Sequence, residues 1–187
     1  MLAICTCTRS LETWRSLADT SLQTLLILSI KRTITAKGLE RWNIRLYLGI
    51  DHDDAFWQEH HEGFEHPSWL TIDRGFHETP TNKIPFNEMM QHAYEDGAEY
   101  LVRINDDTEF VTSEWITRAV EALRAYDPPN VGVVGPICKQ GNTAIMTHAW
   151  CTAPTWRSLK PTTRTCSRRG GSTIGSPRCM IPGEASS

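Results

Sequence analysis

Two apolar runs that each end in acid constrain this chain more than any other feature. Ile44-Arg45-Leu46-Tyr47-Leu48-Gly49-Ile50 reads as a strand and runs straight into Asp51-His52-Asp53-Asp54, and Tyr100-Leu101-Val102-Arg103-Ile104 runs into Asn105-Asp106-Asp107. Strand-like and helix-like stretches alternate around them. Leu2 to Thr8 is short, apolar and β-leaning. Ser10 predicts a helix N-cap after it, with Leu11, Trp14, Leu17, Leu22, Leu25, Leu26 and Ile30 forming one apolar stripe on a helix ending near Arg32. Trp69 to Asp73 predicts a short strand, Asn82 to Asp96 a helix stopped by Gly97, and Trp115 to Tyr126 another helix. Asp127-Pro128-Pro129-Asn130 predicts a turn, and Val131 to Pro136 a strand buried on both faces. This order implies an α/β sandwich with a largely parallel sheet, whose ligands lie beyond the carboxyl ends of the strands. Both acidic clusters fall on that edge.

A chain of 187 residues suits one ordinary domain with a buried core. The net charge of -3 and the pI near 6.2 carry no general polyanion signal, so no nucleic-acid partner is expected. The longest apolar stretch, Leu25 to Ile30, is far short of a membrane span, and MLAICTCTRS lacks a basic n-region. The chain therefore reads as soluble, without a signal peptide or membrane segment. The cysteines at 5, 7, 138, 151, 166 and 179 have no zinc-ligand spacing. His52, His60, His61, His66 and His77 likewise fit no ligand pattern and read as surface residues. Trp57, Phe64, Trp69 and Phe76 read as packing residues.

Several carboxylates at one rim repel one another unless a cation or a donor-rich ligand shares them. A divalent metal is the economical solution. Mg²⁺ or Mn²⁺ takes hard oxygen ligands and is commonly held by one or two carboxylates, with diphosphate oxygens and water completing the shell.

The run from Glu99 to Phe110, followed by a Trp-bearing helix and the strand Val131 to Pro136, resembles the DxD-bearing segment of GT-A glycosyltransferases, with Asn105 in place of the first Asp. The resemblance covers about 140 residues in the order of elements. It implies a GT-A-like, Rossmann-like three-layer sandwich over residues 1–148 that binds a nucleotide sugar, most simply a UDP-sugar, and transfers to a glycan or protein acceptor. By the same resemblance Asp107 would hold the metal and Asp106 would contact metal or ribose. Thr8, Arg9 and Asp51 would line the nucleoside pocket, and Lys83 and Asn87 would face the diphosphate or sugar. Lys83 reads equally well as a solvated helix-end lysine, and Gly141-Asn142-Thr143 as a donor loop or a plain turn. Glu109 and Glu114 lie nearby, but nothing in the sequence marks either as a catalytic base.

Two other functions compete. Leu48-Gly49-Ile50-Asp51-His52-Asp53 is also an apolar strand ending in Asp-x-Asp, as in haloacid-dehalogenase-like phosphohydrolases, with Asp51 as nucleophile and Asp53 as acid/base. In that family the nucleophile belongs to the opening strand, whereas here a strand and a helix precede it. The non-enzymatic alternative is a fragment or pseudoenzyme without an assignable base.

The composition changes abruptly at Ala149. The last 39 residues hold five Arg, one Lys and one Glu, which leaves 13 basic and 21 acidic residues in 1–148. Ser, Thr, Pro and Gly dominate and periodicity is lost, so residues 149–187 are expected to be irregular and without function. They resemble the product of a reading-frame shift. Joining the third base of each codon to the first two of the next forces a Val at Trp150-Cys151 and an Asp at Met180-Ile181. That frame also permits a helical pattern and an acidic WWIDDW segment, similar to the acceptor-side acidic region of GT-A enzymes. On this reading the chain lacks its catalytic base and the last strands of its sheet.

Overall fold

The computed structural model describes residues 1–78, 84–138 and 148–159, together with the backbone of the strand Arg178–Met180. Strand β1 (Leu2–Thr8) is followed by a short 3-10 turn (Leu17–Asp19), a π-helical segment (Leu22–Ile27) that passes into α1 (Leu28–Thr33), and α2 (Ala36–Arg41). Next come β2 (Ile44–Asp51), α3 (Ala55–His60), β3 (Thr71–His77), α4 (Phe86–Glu95), β4 (Tyr100–Arg103), β5 (Glu109–Phe110) and α5 (Trp115–Arg124). The chain continues through β6 (Val133–Val134), β7 (Ile137–Cys138), β8 (Ala149–Thr152), α6 (Ala153–Leu159) and β9 (Arg178–Met180).

The main sheet has the order β3-β2-β1-β4-β8-β6, and a small sheet has the order β5-β9-β7. Strands β3, β2, β1 and β4 are parallel, and β8 runs against both β4 and β6. Alternate residues of β1 feed two cores. Leu2 and Ile4 join Leu26, Ile30, Trp57, Trp115 and Leu123 on one face, while Ala3 and Cys5 join Met89, Ala93, Leu101 and Trp156 on the other. The result is the expected three-layer α/β sandwich with a largely parallel sheet.

Burial explains the chemistry of the sulfur atoms. Cys5, Cys7, Cys138 and Cys151 are free thiols, and desolvation pushes Cys5 and Cys7 well up and Cys151 up to about 12, so these three remain protonated. Trp57 is fully buried against Trp14, Phe56 and Phe64, and Phe76 stays half-exposed beside His61.

Strand β3 starts two residues later and runs four residues further than the expected Trp69 to Asp73, and three other elements differ more from the sequence expectation. The first helix starts at Leu22, because the Ser10 N–H donates to Asp54 Oδ2 at 2.8 Å and Trp14 folds down onto Trp57, holding the intervening residues outside the helix. Leu11 is accordingly 56% exposed. The expected buried strand over Val131 to Pro136 is only the two half-buried residues Val133 and Val134, since Asn130 (φ 62°) and Gly132 (φ 141°) turn the chain and β6 lies at the edge of the sheet. The position next to β4 belongs instead to β8, in the segment expected to be irregular. Trp150 packs edge-on to Trp115 at 5.0 Å on one face and Cys151 enters the other core, so Ala149–Thr152 is held as a strand and Ala153–Leu159 follows as a helix. The composition change at Ala149 hid this run, which is too short to show periodicity.

Two adjacent glycines seat α4. Gly49 and Gly75 are register partners on β2 and β3. A Cβ on Gly49 would come within 2.9 Å of Cys7 Sγ and 3.0 Å of Met89 Cγ, and one on Gly75 within 2.7 Å of Met89 Cε. Their absent side chains let the start of α4 settle close to the carboxyl ends of the strands. At its other end, Gly97 adopts φ 84°, its N–H donates to the Tyr94 carbonyl, and the Ala98 N–H donates to the Ala93 carbonyl. This is a Schellman cap, and the expected stop is made by the one residue type without a Cβ penalty. Gly97→Ala should therefore lower stability by about 1 kcal/mol, read as a lower urea midpoint at unchanged slope. An unmoved midpoint would show that the left-handed cap is not formed in solution.

Candidate functional site

Because β1, β2 and β4 run parallel, their polar ends collect at one rim. Thr8, the buried last residue of β1, donates its hydroxyl to Asp106 Oδ2 at 2.7 Å. Arg9 spans to the end of β2, where Nε and Nη2 both donate to the Asp51 carboxylate, the second at 3.3 Å. These four residues, from three separate stretches of the chain, form two linked pairs.

The acidic segment after β4 is a tight turn. The Thr108 N–H donates to the Asn105 carbonyl at 3.3 Å, so Asp106 and Asp107 occupy its two central positions, with Asn105 exposed at its start. The turn is pinned from both sides. Thr8 holds Asp106, and the fully buried Thr108 shares a 3.0 Å hydrogen bond with His148 Nε2. His148 in turn lies 3.3 Å from Cys138 Sγ through Nδ1. Its imidazole is pushed down to about 4, chiefly by burial and then by the Arg103 charge, and is therefore neutral near pH 7.

The remaining residues read from the sequence fall as follows. Asn87 is the second residue of α4, half-buried, on the end of that helix nearest the rim. Lys83 and the Gly141-Asn142-Thr143 segment lie outside the described residues. Asp53 is exposed, and Asp54 caps α3 by accepting from the Trp57 N–H at 3.2 Å. Glu109 pairs with Arg32 at 2.7 Å, and Glu114 accepts hydrogen bonds from Thr35 and Thr117, so both acids brace α1, α2 and α5.

Sequence reasoning missed three residues at this edge. His148 pins the acidic turn but belongs to no motif. His77 ends β3 in register with Asp51, half-buried, its pKa lowered by burial and its Nε2 without a hydrogen-bond partner. Arg103 ends β4, its guanidinium 4.4 Å over the Phe86 ring. A signal for Arg103 was available: it is the one charged residue within the run Tyr100 to Ile104.

Among the described residues, the one group of three ligand-type side chains close enough to share an ion is Asp73, His92 and Asp96. It lies away from the rim, toward the end of α4, and Asp96 there already accepts from the Tyr47 hydroxyl at 2.9 Å. A concavity of about 550 Å³ opens at the opposite edge of the sheet, lined by Tyr94, Gly97, Glu99, Asn130 and Thr152. It contains neither acidic cluster.

No family model and no curated protein matches the chain. Solved structures do. A protein assigned as a nucleotide-diphospho-sugar transferase from Desulfovibrio desulfuricans G20 superposes with a TM-score of 0.54 at 13% identity, over 89% of this chain and 70% of that one. A cytidylyltransferase from Leptospira borgpetersenii serovar Hardjo-bovis (strain JB197) gives a TM-score of 0.51 at 12% identity, over 87% and 64%. The chain shares its fold with these two proteins. The chain spans about two thirds of the length of these two proteins. Since one architecture carries different chemistries, the reaction has to be argued from the rim. No helix among the described residues is long and apolar enough to cross a membrane.

The His148 environment sets a pH dependence. Its folded pKa of about 4 lies below the ordinary 6.5, so below pH 6.5 the unfolded chain takes up a proton that the folded chain refuses. Stability contributed by the neutral imidazole is complete above pH 6.5 and declines as pH falls toward 4, by about 2 kcal/mol at pH 5. Urea midpoints from pH 7 to pH 5 should fall less steeply in His148→Gln than in the parent. Identical slopes would mean that His148 is accessible to protons in the folded state.

Proposed function

We propose that the chain binds a nucleoside-diphosphate sugar at the carboxyl rim of its sheet and represents the donor-binding part of a glycosyltransferase. The observation that carries this reading is the convergence of Thr8, Arg9, Asp51 and Asp106 from the ends of three parallel strands. In open α/β sheets that rim is where ligands bind. Likeness to a nucleotide-diphospho-sugar transferase fold supports it further.

Asp107 and Asp106 are the residues that would hold Mn²⁺ or Mg²⁺. Two adjacent carboxylates on a pinned turn, with no His or Cys ligand required, suit a hard cation that takes its other oxygens from diphosphate and water. When bound, such an ion neutralises charge that develops on a departing nucleoside diphosphate. The protein's own groups do the positioning. Thr8 fixes one Asp106 oxygen by donating to it, Arg9 fixes both oxygens of Asp51, which would face the nucleoside, and the positive end of α4, with Asn87, would face the diphosphate, for which Lys83 is a further candidate. A UDP-sugar is the simplest donor, and the acceptor is a glycan or a protein.

The phosphohydrolase alternative is less well supported, because Asp51 would be the nucleophile and its carboxylate is engaged by the Arg9 fork. No base is assigned for the transfer step, since Glu109 and Glu114 are occupied in bracing helices. We attribute this to the frame shift inferred from residues 149–187, which would leave the chain able to bind a donor and unable to turn it over. The coding DNA tests that attribution directly: codons compatible with the WWIDDW reading, followed by further open frame, are expected, and incompatible codons remove it.

Titration of UDP-sugars with Mn²⁺ tests the site. Metal-dependent binding is expected in the parent and should be abolished in Asp107→Ala with little change in melting temperature. Hydrolysis of a chromogenic phosphate ester, with no nucleotide-sugar binding, would favour the phosphohydrolase instead. Unchanged metal affinity in Asp107→Ala would withdraw the metal assignment.

A further inference from the structure

Strand β4 carries one charge in an otherwise apolar run. Leu101 and Val102 are fully buried, and Arg103 closes the strand in register with Cys5 of β1 and Ala149 of β8, two residues before the acidic turn. Its guanidinium lies 4.4 Å over the ring of Phe86, the buried first residue of α4. Its Nε is buried without a hydrogen-bond partner, and among the described residues no carboxylate pairs with it. An arginine cannot relieve that situation by losing its proton. A permanently charged guanidinium with one buried, unsatisfied donor is completed by a ligand that supplies an anion.

The surroundings fix what kind of anion that is. The positive field of Arg103 lowers the pKa of His148 on one side and reaches the Cys7 thiol on the other, while the Asp106 charge reaches the same thiol with opposite sign. Arg103 and the acidic turn thus flank the end of β1. A fixed cation here and a carboxylate pair there suit a ligand whose anionic oxygens are shared between an arginine fork and a metal. Phe86 meets the guanidinium with its ring face, a contact that uses none of the N–H donors of the planar edge.

We propose that Arg103 is a phosphate-binding residue, its guanidinium receiving the diphosphate of the nucleotide ligand from the side of the rim opposite Asp106-Asp107. This rests on the reading that the rim takes a nucleoside diphosphate.

The experiment compares uridine and UDP, each with Mn²⁺, on the full chain by calorimetry and ligand-observed NMR. Arg103→Gln should lose roughly 10- to 100-fold in UDP affinity and leave uridine binding unchanged. Arg103→Lys, which keeps the charge and gives up the fork, should lose less, roughly 3- to 10-fold. It decides the matter if the glutamine variant fails to fold by circular dichroism. Equal losses for uridine and UDP would mark Arg103 as structural and overturn the assignment. UDP affinity within about twofold of the parent in the variants would overturn it too, while leaving the nucleotide site standing. A parent chain that binds neither ligand would remove the nucleotide reading and Arg103's role with it.

Discussion

The parallel pairing of β1 with both of its neighbours is the constraint on which the rest of the molecule depends. Seven consecutive residues of β1 are in register with β2 and four with β4, and Leu2, Ala3, Ile4 and Cys5 are fully buried. Side chains alternate between two cores, so a slip of one residue would exchange Leu2 and Ile4 with Ala3 and Cys5 and turn Thr8 away from Asp106. The rim is therefore specified by the core. Its polar residues sit where the apolar strands run out, and the same packing that stabilises the domain sets which of them can touch.

Much of this was legible in the residues. The strands over Leu2–Thr8, Ile44–Asp51 and Tyr100–Arg103 stand out because buried parallel strands are continuous apolar runs, and the acidic clusters after the last two mark the carboxyl edge of the sheet. The Gly97 stop was readable from local chemistry alone. What escaped depends on partners distant in the chain. The stripe from Leu11 is a fair helix by periodicity, yet Ser10 and Trp14 are claimed by residues of α3 and its cap. Strand β8 is four residues long, and only the tryptophan it packs against reveals it. His148 acquires its role from Thr108 and Cys138, which nothing in its local sequence foretells.

Charge at the rim is organised by opposition. Arg9 answers Asp51 and Thr8 answers Asp106, while Arg103 stands apart over Phe86 and His148 is kept neutral. The Gly49–Gly75 pair contributes by distance, since it lets α4 approach closely enough for its first residue to sit beneath Arg103. Removing two side chains from β2 and β3 thus governs the position of a cation on β4.

The reversed direction of β8 has a consequence for solubility in the cell. The chain leaves the rim at His148 and Ala149–Thr152 runs away from it, completing the flank of β4. If that flank were lost, Tyr100 to Arg103 would become an open border of a strongly apolar parallel sheet, with only the two-residue β6 beyond to replace it. Such a border pairs readily with other chains. Sequence changes in β8 would then appear first as aggregation, in molecules whose acidic edge was still correctly built.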